Sequence, residues 1–219
     1  MTTTAEDTAE AFDDDPRPAR FEAAPVRYRG TYIEMLVSSL IGLVASLVLS
    51  IEALALAENP FADLNCDINA VLSCGTVGAS WQASLLGFPN AYLGLIAEPV
   101  VITIAVAALG GVRFPRWFML SAQVVYFIGF AFAYWLFYQS FFVIGALCPW
   151  CLTITVTTTL VFVSMTRVNL LENNFRLSAG AYRTVASWLR AGADTLGAIL
   201  IFAILIAMIL VKYGTALFG

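Results

Sequence analysis

Four cysteines carry most of the reactive chemistry this chain offers. Cys66 and Cys74 stand in the stretch NCDINAVLSCGTV, and Cys148 and Cys151 in ALCPWCLTIT. Thiolates attack disulfides, leave from them and bind soft metals. The 219 residues include no histidine, which removes bis-histidine haem, cysteine–histidine zinc sites and any histidine base. Spacing alone leaves several readings open: two structural bridges, one bridge with two buried thiols, a reactive pair, or a four-cysteine zinc centre. The last needs four thiolates gathered in one place.

Local sequence favours a reactive pair at the second site. Cys148 falls where a helix N-cap belongs, with Pro149 at the first helical position that proline prefers. Cys151 then lies in the first turn, where free backbone N–H groups and the positive end of the helix dipole favour a thiolate. Apolar surroundings act in the opposite direction. Cys148, Cys151 and Thr155 follow i, i+3, i+7 spacing and share one helical face, as Asn90, Gly94 and Glu98 do at i, i+4, i+8. If these faces meet, they form an apolar pocket with a few polar groups, suited to a ring carrying two carbonyls. Glu98 sits about 12 Å deeper along its helix than Asn90. An acid at that depth is a functional candidate; the plainer reading is a protonated packing residue beside Pro99.

The elements that position these residues are membrane spans. The chain is 60% apolar and 12% charged, against roughly half and a quarter in soluble domains. A bilayer core needs about 20 mainly apolar helical residues, and segments 33–57, 90–109, 117–137, 148–168 and 195–217 meet this, the third with a loose end that runs to about 144. Residues 1–29 form an acidic stretch without a long apolar core and read as a disordered tail. No secretory leader is visible, so the first span is expected to direct insertion. The net charge of −4 arises largely in that tail, and with no basic stripe there is no case for nucleic acid binding.

Ten of the eleven basic residues, Arg17 through Arg190, fall in the tail or in alternate connections, and Lys212 is the exception. Segments 58–89 and 138–147 contain neither Lys nor Arg. Positive residues stay cytoplasmic, so the N-terminus is expected inside, with the C-terminus and both cysteine pairs outside, where disulfides persist. In the 169–194 connection, Arg176, Arg183 and Arg190 recur every seven residues, and Tyr182, Val185, Trp188 and Leu189 can share another stripe. That pattern suits a helix lying in the cytoplasmic interface, or an ordinary basic linker. Loop 58–89 holds too many apolar residues for a solvated loop, among them Phe61, Leu64, Val77 and Trp81. It is expected to fold as a partly helical lid on the bundle mouth.

The motif set is therefore C-D-x6-C (Cys66, Asp67, Cys74) in the first outer loop, Ser80 downstream, Asn-x3-Gly (Asn90, Gly94) opening the second span, and C-x-x-C (Cys148, Cys151) opening the fourth. Over about residues 30–168 this resembles the vitamin K epoxide reductase family, in its bacterial, disulfide-forming branch. The DsbB family does the same chemistry but carries its C-x-x-C in the first outer loop. The resemblance implies an all-α integral membrane protein: a four-helix bundle around a quinone, capped by the outer loop, with a peripheral fifth span. It implies a bacterial inner-membrane enzyme in which a DsbA-like thioredoxin-fold protein reduces a Cys66–Cys74 bridge. Electrons would then pass through Cys148 and Cys151 to menaquinone or ubiquinone. Asn90 would bond a quinone oxygen, Ser80 and Thr155 would belong to the same pocket, and Asp67, Gly94 and Glu98 would support it. No metal is implied.

Two features depart from the pattern. Many bacterial members carry a fused thioredoxin-like domain after the fifth span. Here the sequence stops at Gly219, so the partner is expected to be a separate protein. Thr155 stands where mammalian members have a tyrosine, so the resemblance by itself implies neither epoxide reduction nor their anticoagulant binding geometry; reduction of a quinone epoxide would use the same residues and is separated only by an activity assay. A magnitude separates this reading from a scaffold or transporter subunit with inert disulfides. Structural bridges lie below about −300 mV and a DsbA-type partner near about −120 mV, a gap of roughly 8 kcal/mol for two electrons. A loop bridge that accepts those electrons must be poorly stabilised when oxidised.

Overall fold

The computed structural model describes residues 28–218 apart from 61, 63, 65 and 70. Residues 1–27 of the expected tail, and Phe61 of the lid, lie outside the described residues. Among these, seven α-helices run in the order α1 (Arg29–Glu58), α2 (Cys74–Gly78), α3 (Ala91–Leu109), α4 (Arg116–Tyr138), α5 (Pro149–Leu171), α6 (Ala179–Arg190) and α7 (Ala193–Phe218). A 3-10 turn, Trp81–Ser84, precedes α3, and α4 continues as a π-helix, Gln139–Ile144. Helices α1, α3, α4 with its extension, α5 and α7 are long and apolar enough to cross a membrane. They fall on the five expected spans and make this a multi-pass membrane protein.

The packing inverts the soluble pattern. On α1 the buried face carries Ser38, Ser39, Gly42, Ala45, Ser46 and Ser50, while Leu40, Ile41, Val44 and Leu47 are exposed. Lipid supplies no hydrophobic drive between helices, so small residues that let backbones approach form the contacts. This face packs on α3 and α5, and α4 closes the bundle against α5. A Cβ on Gly94 would lie 2.0 Å from Ser46 Oγ, so the close approach of α1 and α3 at this level requires glycine at residue 94. Five of the six threonines of α5 return their hydroxyls to the preceding turn, as Thr159 does to Thr155 O at 2.7 Å, which satisfies them without water.

The end of the bundle remote from the cysteines is the apolar core, with Met35, Ile104, Met119, Val161 and Met165 buried together. An amide chain locks it: Asn174 donates to Asn169, and Asn169 to Gln123, which donates to Thr166. Helix α7 is peripheral, as expected, and is held at both ends. Arg167 on α5 pairs with Asp194 at 2.6 Å. At the other end Lys212 Nζ and Tyr213 OH both donate to the Phe141 carbonyl.

The basic connection departs from its expected pattern. Arg176 lies before α6 with φ of 54°, so it cannot continue the stripe of Arg183 and Arg190. Leu189 is buried, whereas Trp188 is 64% exposed. The two are neighbours on the helix but about 100° apart around it, and only one can face α7 and α5.

Candidate active site

The cysteines meet because the loop is pinned to the segment that leads into α5. Asn69 Oδ1 accepts from the Val71 and Leu72 amides and turns the chain. Leu147 N–H then donates to Val71 O at 2.7 Å, and Ser73 N–H to Leu147 O at 3.0 Å. This isolated parallel bridge between Leu72 and Leu147 sets Cys74 beside Cys148. On the bundle side, the π-helix ends at Gly145 with φ of 79°, a left-handed turn that glycine adopts without steric cost.

Cys66 and Cys74 form a disulfide, and Cys148 and Cys151 are free thiols. Cys148 Sγ lies 3.2 Å from Cys74 Sγ, with Cys66, Cys74 and Cys148 all buried in one cluster. While the loop pair is bridged it offers no thiolates, so the four-thiolate set of a zinc centre is not assembled. Cys148 caps α5, and its sulfur accepts from the Cys151 amide at 3.3 Å. The Cys151 thiol and the Cys151 and Trp150 backbone amides hold the Cys148 thiol below its ordinary range, against burial and the nearby Glu52 charge. The helix terminus therefore favours Cys148, where the sequence reading directed that benefit to the first turn.

Asp67 and Gly75 stabilise the loop. Asp67 Oδ1 accepts from Gly75 N–H at 2.9 Å, and a Cβ at residue 75 would sit 2.7 Å from Asp67 Oδ2. Desolvation alone would raise the Asp67 pKa, but hydrogen bonds from Gly75, Ser73, Leu64 and Cys74 outweigh it and hold the exposed carboxyl below the usual range. Ser73 caps α2 by accepting from Thr76 N–H at 3.0 Å.

Beneath the loop lies a cavity of about 550 Å³, walled by α1, α3, α4 and α5. Cys74, Cys148 and Cys151 reach it, and so do Ser80, Asn90, Gly94, Glu98 and Thr155. Cys66 and Asp67 do not line it. Ser80 donates to Val77 O at 2.6 Å and Thr155 to Cys151 O at 2.9 Å. Asn90 Nδ2 donates to Gln82 O at 2.6 Å, an anchor absent from the sequence reading. Glu98 accepts from Tyr126 OH at 2.9 Å. Asn90 Oδ1, Glu98 Oε2 and Ser46 Oγ are buried without partners.

A mostly apolar chamber with a few convergent polar atoms, some of them orphaned, fits a quinone head group. Asn90 has one amide proton left for a carbonyl and a free Oδ1 for a hydroxyl, matching oxidised and reduced forms alike.

Residues 33–166 match the profile of the vitamin K epoxide reductase family. The chain belongs to that family. Comparison with curated proteins returns no match. Vitamin K epoxide reductases are quinone-reducing dithiol oxidoreductases, so this protein is an enzyme of that class and the scaffold reading is set aside. Three residues that the sequence reading gave no role stand at the site: Glu52, Gln82 and Tyr126. Glu52 was visible only as an acid near the end of a span. Gln82 and Tyr126 carried no signal, because what distinguishes them is a partner on another element.

Proposed function

We propose that this enzyme is a thiol oxidase of the bacterial, disulfide-forming branch. It sits in the bacterial cell membrane with its N-terminus cytoplasmic and its C-terminus and cysteines extracytoplasmic. Residues 30–168 form the catalytic unit with loop 58–89 as its cap. Residues 1–29 form a cytoplasmic tail, 169–194 a connection at the cytoplasmic interface, and 195–219 a fifth helix. Its partner is a DsbA-like thioredoxin-fold protein. The observation that carries this reading is the 3.2 Å approach of Cys148 Sγ to Cys74 Sγ at the mouth of the cavity.

A thiolate of the partner attacks Cys66 and releases Cys74 as a thiolate. The partner's second thiolate then closes its own disulfide and expels Cys66. Cys74 attacks Cys148 of an oxidised C-x-x-C and frees Cys151, which faces the cavity. Cys66 attacks Cys74, restoring the loop bridge and leaving Cys148 and Cys151 reduced. A bound menaquinone or ubiquinone supplies the two-electron acceptor, so that dithiol plus quinone yields disulfide plus quinol. Asn90 orients that acceptor, with Thr155 and Ser80 shaping its pocket. Asp67, Gly94 and Glu98 hold the loop and walls in place.

The test is single Cys→Ala substitution at all four positions in purified protein. With the reduced partner as electron donor, each variant should lose reduction of a soluble naphthoquinone, read by absorbance, and the Cys66 thiolate of the Cys74 variant should attack the disulfide of the oxidised partner and hold it as a mixed disulfide. Full quinone reduction by the Cys151 variant would overturn the route.

A further inference from the structure

The mechanism above makes no use of the carboxylate closest to the reacting sulfurs. Glu52 lies on α1, and its Oε1 is 3.1 Å from Cys66 Sγ. A bridged sulfur has no hydrogen to donate, so while the bridge is closed any proton between the two atoms must come from the Glu52 carboxyl. Glu52 Oε2 is shielded from solvent and also lacks a partner. Cys66 itself is only 6% exposed. A buried acceptor without a donor is costly, and this one faces the atom that alternates between disulfide and thiol in every cycle.

We propose that Glu52 is the acid–base partner of Cys66, protonating that sulfur as it leaves the mixed disulfide with the partner protein and reclaiming the proton when Cys66 closes the loop bridge. Two anions at this separation, away from water, oppose each other's charge, so the pair holds a single proton. When the partner's second thiolate expels Cys66, Glu52 as the acid gives its proton to the departing thiolate, and the carboxylate remains. Glu52 then takes the proton back as Cys66 attacks Cys74, breaking the Cys74–Cys148 bond and releasing Cys148 as a thiolate. Glu52 returns to its starting state, so the two protons of the substrate dithiol are left for the quinol.

The other titratable groups that interact with Glu52 are Asp67 in the loop and the thiols of Cys148 and Cys151. Asp67 is committed to the Gly75 amide. Cys148 meets Cys74, and Cys151 belongs to the cavity. Glu52 is the carboxylate in contact with Cys66.

This proposal rests on the oxidase reading, but its first measurement uses neither quinone nor partner protein. In Cys74→Ala protein, Cys66 is free and its alkylation by iodoacetamide can be mapped by mass spectrometry. Adding Glu52→Gln removes the opposing charge and should speed alkylation at pH 7 about tenfold, the effect of one pKa unit. With all four cysteines intact, Glu52→Gln should slow turnover with dithiothreitol and a soluble naphthoquinone by at least about tenfold at pH 7, within the range of general acid–base catalysis. Glu52→Asp should recover part of that loss.

Faster alkylation combined with slower turnover supports the assignment, because a carboxylate that merely props the loop does not move the two in opposite directions. Unchanged or slower alkylation of Cys66 in the Glu52→Gln protein overturns it. Failure of the native protein to reduce any quinone overturns the oxidase reading instead, and the alkylation rates alone then decide whether Glu52 governs the charge on Cys66.

Discussion

Replacing Gly94 with alanine should damage the enzyme through a contact that is legible to a fraction of an ångström. The added methyl would sit 2.0 Å from Ser46 Oγ and 2.9 Å from Ser46 Cβ. Rotation of the serine removes the first conflict and leaves the second, which is half an ångström short of the 3.4 Å at which ordinary contact begins. Helix α3 must therefore move away from α1, at a cost of about 1–3 kcal/mol for overpacking. Asn90 is one turn from Gly94 on the same face, so a shift of that order displaces it too, and a misplacement approaching 1 Å can cost up to about a hundredfold in rate. We expect quinone reduction to fall about tenfold, with a lower melting temperature.

The rescue series gives the test its discrimination. Ser46→Ala in the Gly94→Ala background relieves the hydroxyl clash alone and should restore little. Ser46→Gly relieves both clashes and should restore most of the activity, less about 1 kcal/mol in stability for a helical glycine. Ser46 Oγ has no partner to lose. Turnover and thermal melting of the four proteins in detergent complete the cycle. A Gly94→Ala enzyme with native turnover, or a double variant no better than the single, refutes the argument.

Three further outcomes follow from other contacts. Asn90→Ala should lower quinone reduction at least about tenfold, as expected for a lost donor, while reduction of the loop bridge by dithiothreitol stays near native; equal losses in both half-reactions would show that Asn90 acts only through its bond to Gln82. The folded-state pKa of Asp67 is depressed, so its contribution to loop docking is complete above the unfolded value of about 3.9 and is lost as pH falls through the folded value. Exchange protection at the Gly75 amide should hold from pH 7 to about 5 and drop below about 4, and an Asp67→Asn protein with the same acid-induced drop would contradict this. Arg167→Ala leaves Asp194 unpaired and should cost about 1 kcal/mol, the upper range for a pair that is not buried; Arg167→Ala/Asp194→Ala should regain part of it, and additive losses in melting would refute the coupling.

The five spans, the N-cap at Cys148 and the lid character of residues 58–89 could all be read from residue types. Each is local: hydropathy against length, a proline one position into a helix, and too many apolar groups for a solvated loop. The shared helical faces of Cys148, Cys151 and Thr155, and of Asn90, Gly94 and Glu98, were equally legible, since 3.6 residues per turn is a property of one helix. Which faces meet was not. In a membrane the outward surface is as apolar as the inside, so hydropathy cannot tell a lipid-facing leucine from a packed one, and the difference between Trp188 and Leu189 disappears. The contacts that build the site join residues on different elements: Cys74 to Cys148, Leu72 to Leu147, Asn90 to Gln82, Glu52 to Cys66. Each depends on the distance between two elements, which helix packing sets and which no pattern along a single segment encodes.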